Sequence, residues 1–213
     1  MNRRFLDQRR RDPYYRAAQR DGLRSRAAFK LDYLDRRYGL LRPGRRVLDL
    51  GAAPGGWSVV AAERVGPRGE VVAVDPRPIE PIPGVRVVRG RVGDPELAVR
   101  LGAPPFDVVL SDLSPRISGA YATDHARSVE LVGAALDLAA LVLRPGGAFA
   151  AKVFDGDLVP GLETRLAAAF RAAHRTKPPA SRGASSELYL VGVGFRGAAG
   201  PEPRRAAPRA FDI

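Results

Sequence analysis

The chain has 213 residues, a length that suits one domain, and 45% of them are hydrophobic, which is enough for a full core. It contains no cysteine, so disulfides and thiolate chemistry are excluded. The formal charge is +12, and no apolar run approaches the ~18 residues that a membrane span needs.

Most of the positive charge lies at the start of the chain. Residues 1–46 hold fifteen Arg or Lys and five Asp, which is +10 of the total of +12. Such a basic segment on a nearly neutral domain indicates a polyanionic partner, most often nucleic acid. An arginine-rich solvated surface encoded by a GC-rich gene is the alternative.

We expect residues 1–22 to form a basic arm. The arm lacks the apolar stretch of a secretory signal, and its aspartates Asp7, Asp12 and Asp21 argue against an organelle transit peptide. We therefore expect a cytoplasmic protein with no membrane contact.

Helical and extended patterns alternate after the arm. Helix 25–38, with Ser25 as its cap, is followed by further helices at 56–65, 95–102, 125–143 and 160–173. Strands are predicted at 46–50, 70–75, 85–90, 106–112, 148–156 and 187–195, with a short edge strand at HRTKP. The low-complexity residues 197–213 are expected to be disordered.

The predicted strands are near-continuous hydrophobic runs, which is typical of a sheet covered on both faces. Alternation with helices predicts an open, doubly wound α/β sheet with parallel strands. Ligands of such sheets bind beyond the carboxyl ends of the strands. Asp49, Asp75 and Asp112 lie at or near those ends, and Lys152 lies within the fifth strand, toward the same side.

A glycine turn follows the first strand, with the pattern Gly51-x-x-Pro54-Gly55-Gly56. This pattern is neither the G-x-G-x-x-G that serves a pyrophosphate nor a phosphate-binding P-loop. A turn without phosphate-seeking features suits S-adenosylmethionine, which has an adenosine but no phosphate. Asp75 ends the second strand, where an acid can accept hydrogen bonds from ribose hydroxyls. A plain tight turn and a loop cap are the alternative interpretations.

Lysine is rare in this chain. Of 35 basic residues only three are lysine, namely Lys30, Lys152 and Lys177. A lysine retained in such a sequence indicates a need that arginine cannot meet, and the ability to lose a proton is the obvious one. Chance retention is the alternative, and it is favoured for Lys177, which lies in a proline-rich loop.

Five motifs together resemble the RrmJ/FtsJ family of ribose 2′-O-methyltransferases: "RSRAAFKL", "VLDLGAAPGGWS", "SDLSPRISG", "AKVF" and "SSELYLV". The similarity runs from about residue 24 to 195, in order and with family-like spacing. It implies a methyltransferase domain over residues 23–196. It also implies a Rossmann-like, seven-stranded, mostly parallel sheet whose last strand is antiparallel.

The resemblance also implies a catalytic tetrad. Its members match Lys30, Asp112, Lys152 and Glu187. A ribose 2′-hydroxyl is a poor nucleophile, so the enzyme must align it with the methyl donor and accept its proton. Lys152 is our candidate for the proton acceptor, with the two carboxylates orienting the ammonium groups.

For S-adenosylmethionine the resemblance points to the glycine turn and to three acids. The implied contacts in the turn are Gly51, Ala52, Pro54, Gly55, Gly56 and Trp57. Asp75 would hold the ribose, and Asp112 would also contact the cofactor. Family members place an aspartate after the glycine of the third strand, whereas here Gly90 is followed by Arg91. Either Asp94 contacts the adenine instead, or that contact is lost.

The implied reaction is methylation of a uridine of large-subunit (23S) ribosomal RNA during ribosome assembly, by a monomer. The rival interpretations are a tRNA anticodon-loop methyltransferase, a non-catalytic RNA-binding protein and a nicotinamide dehydrogenase. Arg116 is a candidate RNA contact, and Tyr14 and Tyr15 could stack on a base or pack the arm. The two histidines form no metal-type pattern, so no metal is expected.

Overall fold

The computed structural model describes residues 27–102, 105–179 and 186–197. The predicted basic arm, the Ser25 cap and the low-complexity tail lie outside these residues. The helices are α1 (Ala27–Tyr38), α2 (Gly56–Val65), α3 (Leu97–Leu101), α4 (Tyr121–Val142) and α5 (Val159–Ala169). The strands are β1 (Arg46–Leu50), β2 (Glu70–Asp75), β3 (Val85–Arg89), β4 (Phe106–Ser111), β5 (Leu143–Phe154), β6 (Phe170–Thr176) and β7 (Glu187–Phe195).

The seven strands form one sheet in the order β3-β2-β1-β4-β5-β7-β6. The first five strands in this order pair in parallel, so their carboxyl ends meet at one edge of the sheet. The order reverses around β1, because β2 lies on one side of it and β4 on the other. This reversal is the point at which doubly wound sheets bind their ligands.

Both faces of the sheet are covered by helices. Side chains alternate along each strand, so that Leu48 and Leu50 face one core while Val47 faces the other. The first core includes α3, α4 and α5, and the second includes α1 and α2. The helices and the sheet therefore form three layers, as the doubly wound pattern predicts.

Strand β7 is antiparallel to both of its neighbours, β5 and β6. This confirms the implied seven-stranded sheet with an antiparallel last strand. The direction of β7 brings its first residue, Glu187, opposite Phe154 at the carboxyl end of β5. The start of β7 thus lies at the same edge as the ends of the parallel strands.

Helix α4 begins four residues before the predicted position 125. The sequence suggested that Asp124 ends a loop, but Asp124 lies in the first turn of the helix. Its carboxylate accepts hydrogen bonds from the backbone N–H groups of Ser118 and Gly119, at 2.8 and 3.1 Å. A carboxylate is favourable in the first turn of a helix, so the helix can begin at Tyr121 and include Asp124.

The predicted helix over 160–173 was wrong in its last turn, because the chain becomes strand β6 at Phe170. Phe170 is 1% exposed and packs against the rings of Phe149 and Phe195. Pairing with β7 and burial of this ring outweigh the local helical pattern. The edge strand expected at 174–178 therefore starts earlier and ends at Thr176.

Strand β5 begins at Leu143, five residues before the predicted start. Leu143 pairs with Phe106, and the next paired residue of β5 is Ala148, opposite Val108. Residues 144–147 therefore bulge out of the ladder, and this bulge contains the proline and glycines that had suggested a break. None of the helices in the described ranges is long and apolar enough to cross a membrane.

Candidate active site

A cavity of about 530 Å³ opens at the carboxyl edge of the parallel strands. The glycine turn after β1, the ends of β2 and β3, the loop after β4 and Lys152 of β5 line it. The volume lies within the usual range for small-molecule sites, roughly 300–1,000 Å³. The cavity is therefore at the position that the strand order predicts.

Gly51 begins the turn and lines the cavity. Its φ is +76°, and a Cβ atom there would lie 2.9 Å from Leu113 Cδ2 and 3.1 Å from Leu113 Cα. Its backbone N–H donates to Val74 O at 2.9 Å, which ties the turn to β2. Only glycine combines this conformation with such a close approach, so the backbone itself forms part of the cavity wall.

Asp75 ends β2 and lines the same cavity, although its side chain is only 2% exposed. Its carboxylate accepts hydrogen bonds from the backbone N–H groups of Ala53 and Arg77 and from the Arg77 guanidinium. Burial alone would raise the pKa of Asp75, but these donors outweigh it and hold the pKa below its ordinary value. Asp75 is therefore an ionised acceptor, as the ribose role requires.

Lys152 and Asp112 form an ion pair at the rim of the cavity, with 3.0 Å between Lys152 Nζ and Asp112 Oδ1. Lys152 Nζ also donates to the backbone oxygen of Asp112 at 3.2 Å. The lysine side chain is 7% exposed and the aspartate side chain 20%. Adjacent strands β4 and β5 bring the two residues together, which confines the ammonium group to one place beside the cavity.

Lys30 and Glu187 form a second ion pair, with 2.5 Å between Lys30 Nζ and Glu187 Oε2. Lys30 is a buried residue of α1, and Glu187 is the first residue of β7. All four members of the implied tetrad therefore form ion pairs, Lys30 with Glu187 and Lys152 with Asp112. That they act in catalysis stays a prediction.

Tyr189 connects the two pairs, and the sequence analysis missed it. Its hydroxyl donates to Asp112 Oδ1 at 3.4 Å, and Lys30 Nζ lies 5.8 Å from its ring centroid. In the β5–β7 ladder Tyr189 is directly opposite Lys152, so the two side chains share one face of the sheet. The available signal was its spacing of two from Glu187, which places both on one face of a strand.

Most of the other residues predicted to contact the cofactor are not among those that line the cavity. Trp57 is 2% exposed, and its indole N–H donates to Ala27 O at 2.8 Å. Ala52, Pro54, Gly55 and Gly56 shape the turn and the start of α2, but they are not among the residues that line the cavity. Cofactor contacts by these residues, through their backbone, remain a prediction.

Asp94 lies away from Asp75, in an adjoining cavity of about 680 Å³. Its carboxylate accepts from Glu96 N at 3.0 Å and approaches Arg100 at 3.5 Å, so it is occupied by its own loop and helix. Arg91 lines both cavities and makes no hydrogen bond or ion pair with described side chains. An adenine contact from Asp94 thus stays a prediction that its present bonds do not favour.

Asp49 is the one acid of the three noted strand-end aspartates that does not reach the cavity. It is 0% exposed, and its Oδ2 accepts from Ser58 Oγ at 2.6 Å. Its Oδ1 has no hydrogen-bond partner among the described residues. Burial raises the pKa of Asp49 to about 7. Its hydrogen bond from Ser58 connects β1 to α2.

The predicted RNA contact Arg116 lies exposed in the loop that follows Asp112 and the lining residues Ser114 and Pro115. Tyr14 and Tyr15 lie outside the described residues. Within the described ranges, no group of three or more histidine, aspartate or glutamate side chains could hold a metal ion.

Fold and site together define a Rossmann-like protein with a cavity where the strand order reverses and a lysine–aspartate pair in its lining. The chain matches the FtsJ-like methyltransferase family over residues 23–195. It belongs to this family and is a methyltransferase.

Two curated relatives are both called ribosomal RNA large subunit methyltransferase E. The one from Gluconobacter oxydans is 45% identical over 196 residues, which cover 91% of this chain and 72% of the relative. The one from Azoarcus sp. is 46% identical over 189 residues, covering 87% of this chain and 92% of the relative.

Among solved structures, a Plasmodium falciparum protein provisionally named a ribosomal RNA methyltransferase is 31% identical, with a TM-score of 0.74. The match covers 82% of this chain and 99% of that one. The mycinamycin-pathway methyltransferase MycE, in complex with Mg and SAH, is 20% identical with a TM-score of 0.52, covering 87% of this chain and 51% of that one. The second likeness shows the fold alone.

Proposed function

We propose that the protein transfers a methyl group from S-adenosylmethionine to a ribose 2′-hydroxyl of large-subunit ribosomal RNA, a uridine of the 23S molecule. The observation that carries this proposal is the Lys152–Asp112 pair in the lining of the cavity. The ionised carboxylate of Asp75 lines the same cavity. The names of the two relatives support the RNA target. We place the reaction in the cytoplasm, within an assembling ribosomal subunit.

The residues of the cavity fit S-adenosylmethionine. The carboxylate of Asp75 can accept hydrogen bonds from two ribose hydroxyls once the Arg77 guanidinium has moved away, and Gly51 presents bare backbone to the cavity where a Cβ atom would clash with Leu113. The turn over residues 51–56 contains no cation that would favour a phosphate. When bound, S-adenosylmethionine supplies an electrophilic methyl group.

In this proposal Lys152 acts as the neutral amine, accepts the proton of the ribose hydroxyl and becomes the ammonium that pairs with Asp112. A 2′-hydroxyl is a weak nucleophile, so its proton must be taken as the attack proceeds. Asp112 holds the lysine Nζ at 3.0 Å from one carboxylate oxygen and so fixes its direction. Arginine could not serve, because its guanidinium stays protonated.

Lys30, Glu187 and Tyr189 position the reacting pair. The Lys30–Glu187 ion pair is held against the Tyr189 ring, and the Tyr189 hydroxyl donates to Asp112. Asp112 is therefore fixed from the side of β7 as well as by Lys152. Such fixed geometry lowers the cost of aligning hydroxyl and methyl.

RNA would approach over the carboxyl edge of the sheet. The exposed Arg116 and the arginines of the arm over residues 1–22 supply positive charge for the phosphates. We propose that residues 23–196 form the catalytic domain and that the protein acts as a monomer on a substrate presented by the ribosomal particle.

The test is methyl transfer from labelled S-adenosylmethionine by the wild type and by Lys152→Ala. The substrates are unmodified large ribosomal subunits, free ribosomal RNA and tRNA, with identification of the labelled nucleoside. We expect a 2′-O-methylated ribose on the subunit and a loss of about 10²–10⁴-fold in kcat for Lys152→Ala. Lys177→Ala is the matched control, because Lys177 is the one lysine of the chain outside the proposed tetrad.

Each other outcome removes a part of the proposal. Label on tRNA alone would retain the chemistry and overturn the substrate. Equal activity of Lys152→Ala and wild type would remove Lys152 from the mechanism. Tight cofactor binding without transfer to any RNA would favour an RNA-binding protein on this scaffold.

A further inference from the structure

The carboxylate of Asp75 already has a full set of partners within the chain. A carboxylate offers about four lone-pair sites. Oδ1 accepts from Arg77 N at 2.8 Å and Arg77 Nε at 3.0 Å. Oδ2 accepts from Ala53 N at 3.1 Å and Arg77 Nη2 at 3.1 Å. A ribose that used Asp75 would therefore have to replace some of these donors.

The four donors differ in how easily they can leave. The two backbone N–H groups belong to Ala53 of the glycine turn and to Arg77, two residues after the end of β2, so they are held by the fold. The guanidinium reaches Asp75 on a side chain that is 68% exposed, and rotation about its own bonds removes it. Arg77 is thus the partner that can be exchanged.

The guanidinium also has the form of a substitute for the ribose. Its Nε and Nη2 donate one bond to each carboxylate oxygen, as two neighbouring hydroxyls of a ribose would. Nη2 donates in addition to Ala53 O at 3.1 Å, which extends the side chain across the wall of the cavity. Departure of the guanidinium breaks these three bonds, and a diol in its place forms the two to Asp75 again.

We propose that Arg77 determines cofactor affinity by competing with the ribose diol for Asp75, so that its guanidinium must leave before the cofactor can bind. This inference rests on the proposed use of S-adenosylmethionine. The apparent dissociation constant then equals the intrinsic one divided by the fraction of molecules in which Asp75 is free. An exposed ion pair is weak, so the expected effect is about 3- to 10-fold.

Removing the guanidinium should therefore tighten binding. Arg77→Leu leaves the two backbone donors in place and frees the two remaining acceptor sites. Arg77→Lys should lie between the wild type and Arg77→Leu, because lysine keeps the charge but has no bidentate fork. Arg68→Leu is the matched control, since Arg68 carries the same charge and is exposed in the turn before β2, outside the cavity lining.

The experiment is calorimetric titration of the four full-length proteins with S-adenosylhomocysteine at low and high NaCl, after their folding is checked by circular dichroism. We expect Arg77→Leu to bind about 3- to 10-fold more tightly than wild type, and Arg68→Leu to stay within about two-fold. The ratio of the wild-type to the Arg77→Leu dissociation constant should fall toward one as salt screens the ion pair.

The outcomes separate this inference from the proposed function. Unchanged or weaker binding by Arg77→Leu would overturn the competition, and so would an equal gain in Arg68→Leu, which would assign the effect to net charge. Failure of all four folded proteins to bind S-adenosylhomocysteine would instead reject the proposed cofactor, and with it the ligand for which Arg77 competes.

Discussion

At the scale of single residues, two aspartates one strand apart have opposite electrostatic environments. Asp49 is fully buried in β1, and burial raises its pKa to about 7. Asp75 is nearly as buried, yet four hydrogen bonds hold its pKa low. The contrast follows from donors, because Asp49 receives a side-chain bond from Ser58 while one of its oxygens is unpaired among the described residues.

The raised pKa of Asp49 predicts a specific dependence of stability on pH. Between the ordinary value of 3.8 and about 7, the folded state binds more protons than the unfolded state. Stability contributed by neutral Asp49 is therefore lost as pH rises through this window, and the loss levels off above it. The variant Asp49→Asn removes this titration while it keeps an acceptor for Ser58.

Urea unfolding of wild type and Asp49→Asn from pH 4 to pH 8 measures this effect. Relative to the wild type, the free energy of unfolding of the variant should rise by on the order of 3 kcal/mol as pH increases across the window. Asp137→Asn is the control, because the Asp137 side chain is 72% exposed and its curve should run parallel to the wild type. If the free energy of unfolding of Asp49→Asn ran parallel to that of the wild type from pH 4 to pH 8, Asp49 would not be neutral in the folded protein.

At the scale of elements, the insertion of β7 between β5 and β6 is the decisive feature. It pairs with both neighbours along its length, and its residue Gly192 lies opposite Phe149 on one side and Ala173 on the other. A Cβ atom at Gly192 would lie 2.6 Å from the ring of Phe170. Glycine at this position lets that ring close over the strand.

Gly192→Ala should therefore destabilise the protein by about 1–3 kcal/mol, because the Phe170 ring is buried and already packs against Phe149 and Phe195. The matched substitution is Gly161→Ala in α5, where a Cβ atom would meet nothing within 4 Å. It should stabilise the protein by about 0.5–1 kcal/mol. Equal effects of the two substitutions in chemical unfolding would contradict this account of β7.

At the scale of the whole molecule, charge is distributed unevenly between the arm and the domain. Residues 1–22 contain seven arginines and three aspartates, a net charge of +4. The carboxyl edge of the sheet adds exposed cations such as Arg91 and Arg116 near the cavity. Contacts between such cations and phosphate groups generally dominate affinity for RNA and make it depend on salt.

Deletion of residues 1–22 should weaken RNA binding and flatten its salt dependence. Each lost phosphate contact lowers the slope of log K against log salt by about 0.7 for single strands, so the change is at most about 5. Filter binding of RNA at several salt concentrations measures the slope. Titration with S-adenosylhomocysteine should show unchanged cofactor affinity, and an unchanged RNA slope would remove the arm from the interface.

The sequence by itself determined the features that depend on neighbouring residues. Strands β1 and β2 have their predicted bounds, because an unbroken apolar run ending in a glycine turn or loop specifies a buried parallel strand. The turn after β1, the position of Asp75 and the rarity of lysine also pointed to the cavity edge and to Lys152. The motif spacing carried the family resemblance.

The tertiary structure decided the features that depend on pairing between distant segments. Phe170 ends α5 early because its ring is buried against Phe195, which local periodicity cannot register. Tyr189 joins the site because an antiparallel β7 places it opposite Lys152. Local pattern specifies elements, whereas register and packing over long sequence separations decide which side chains meet.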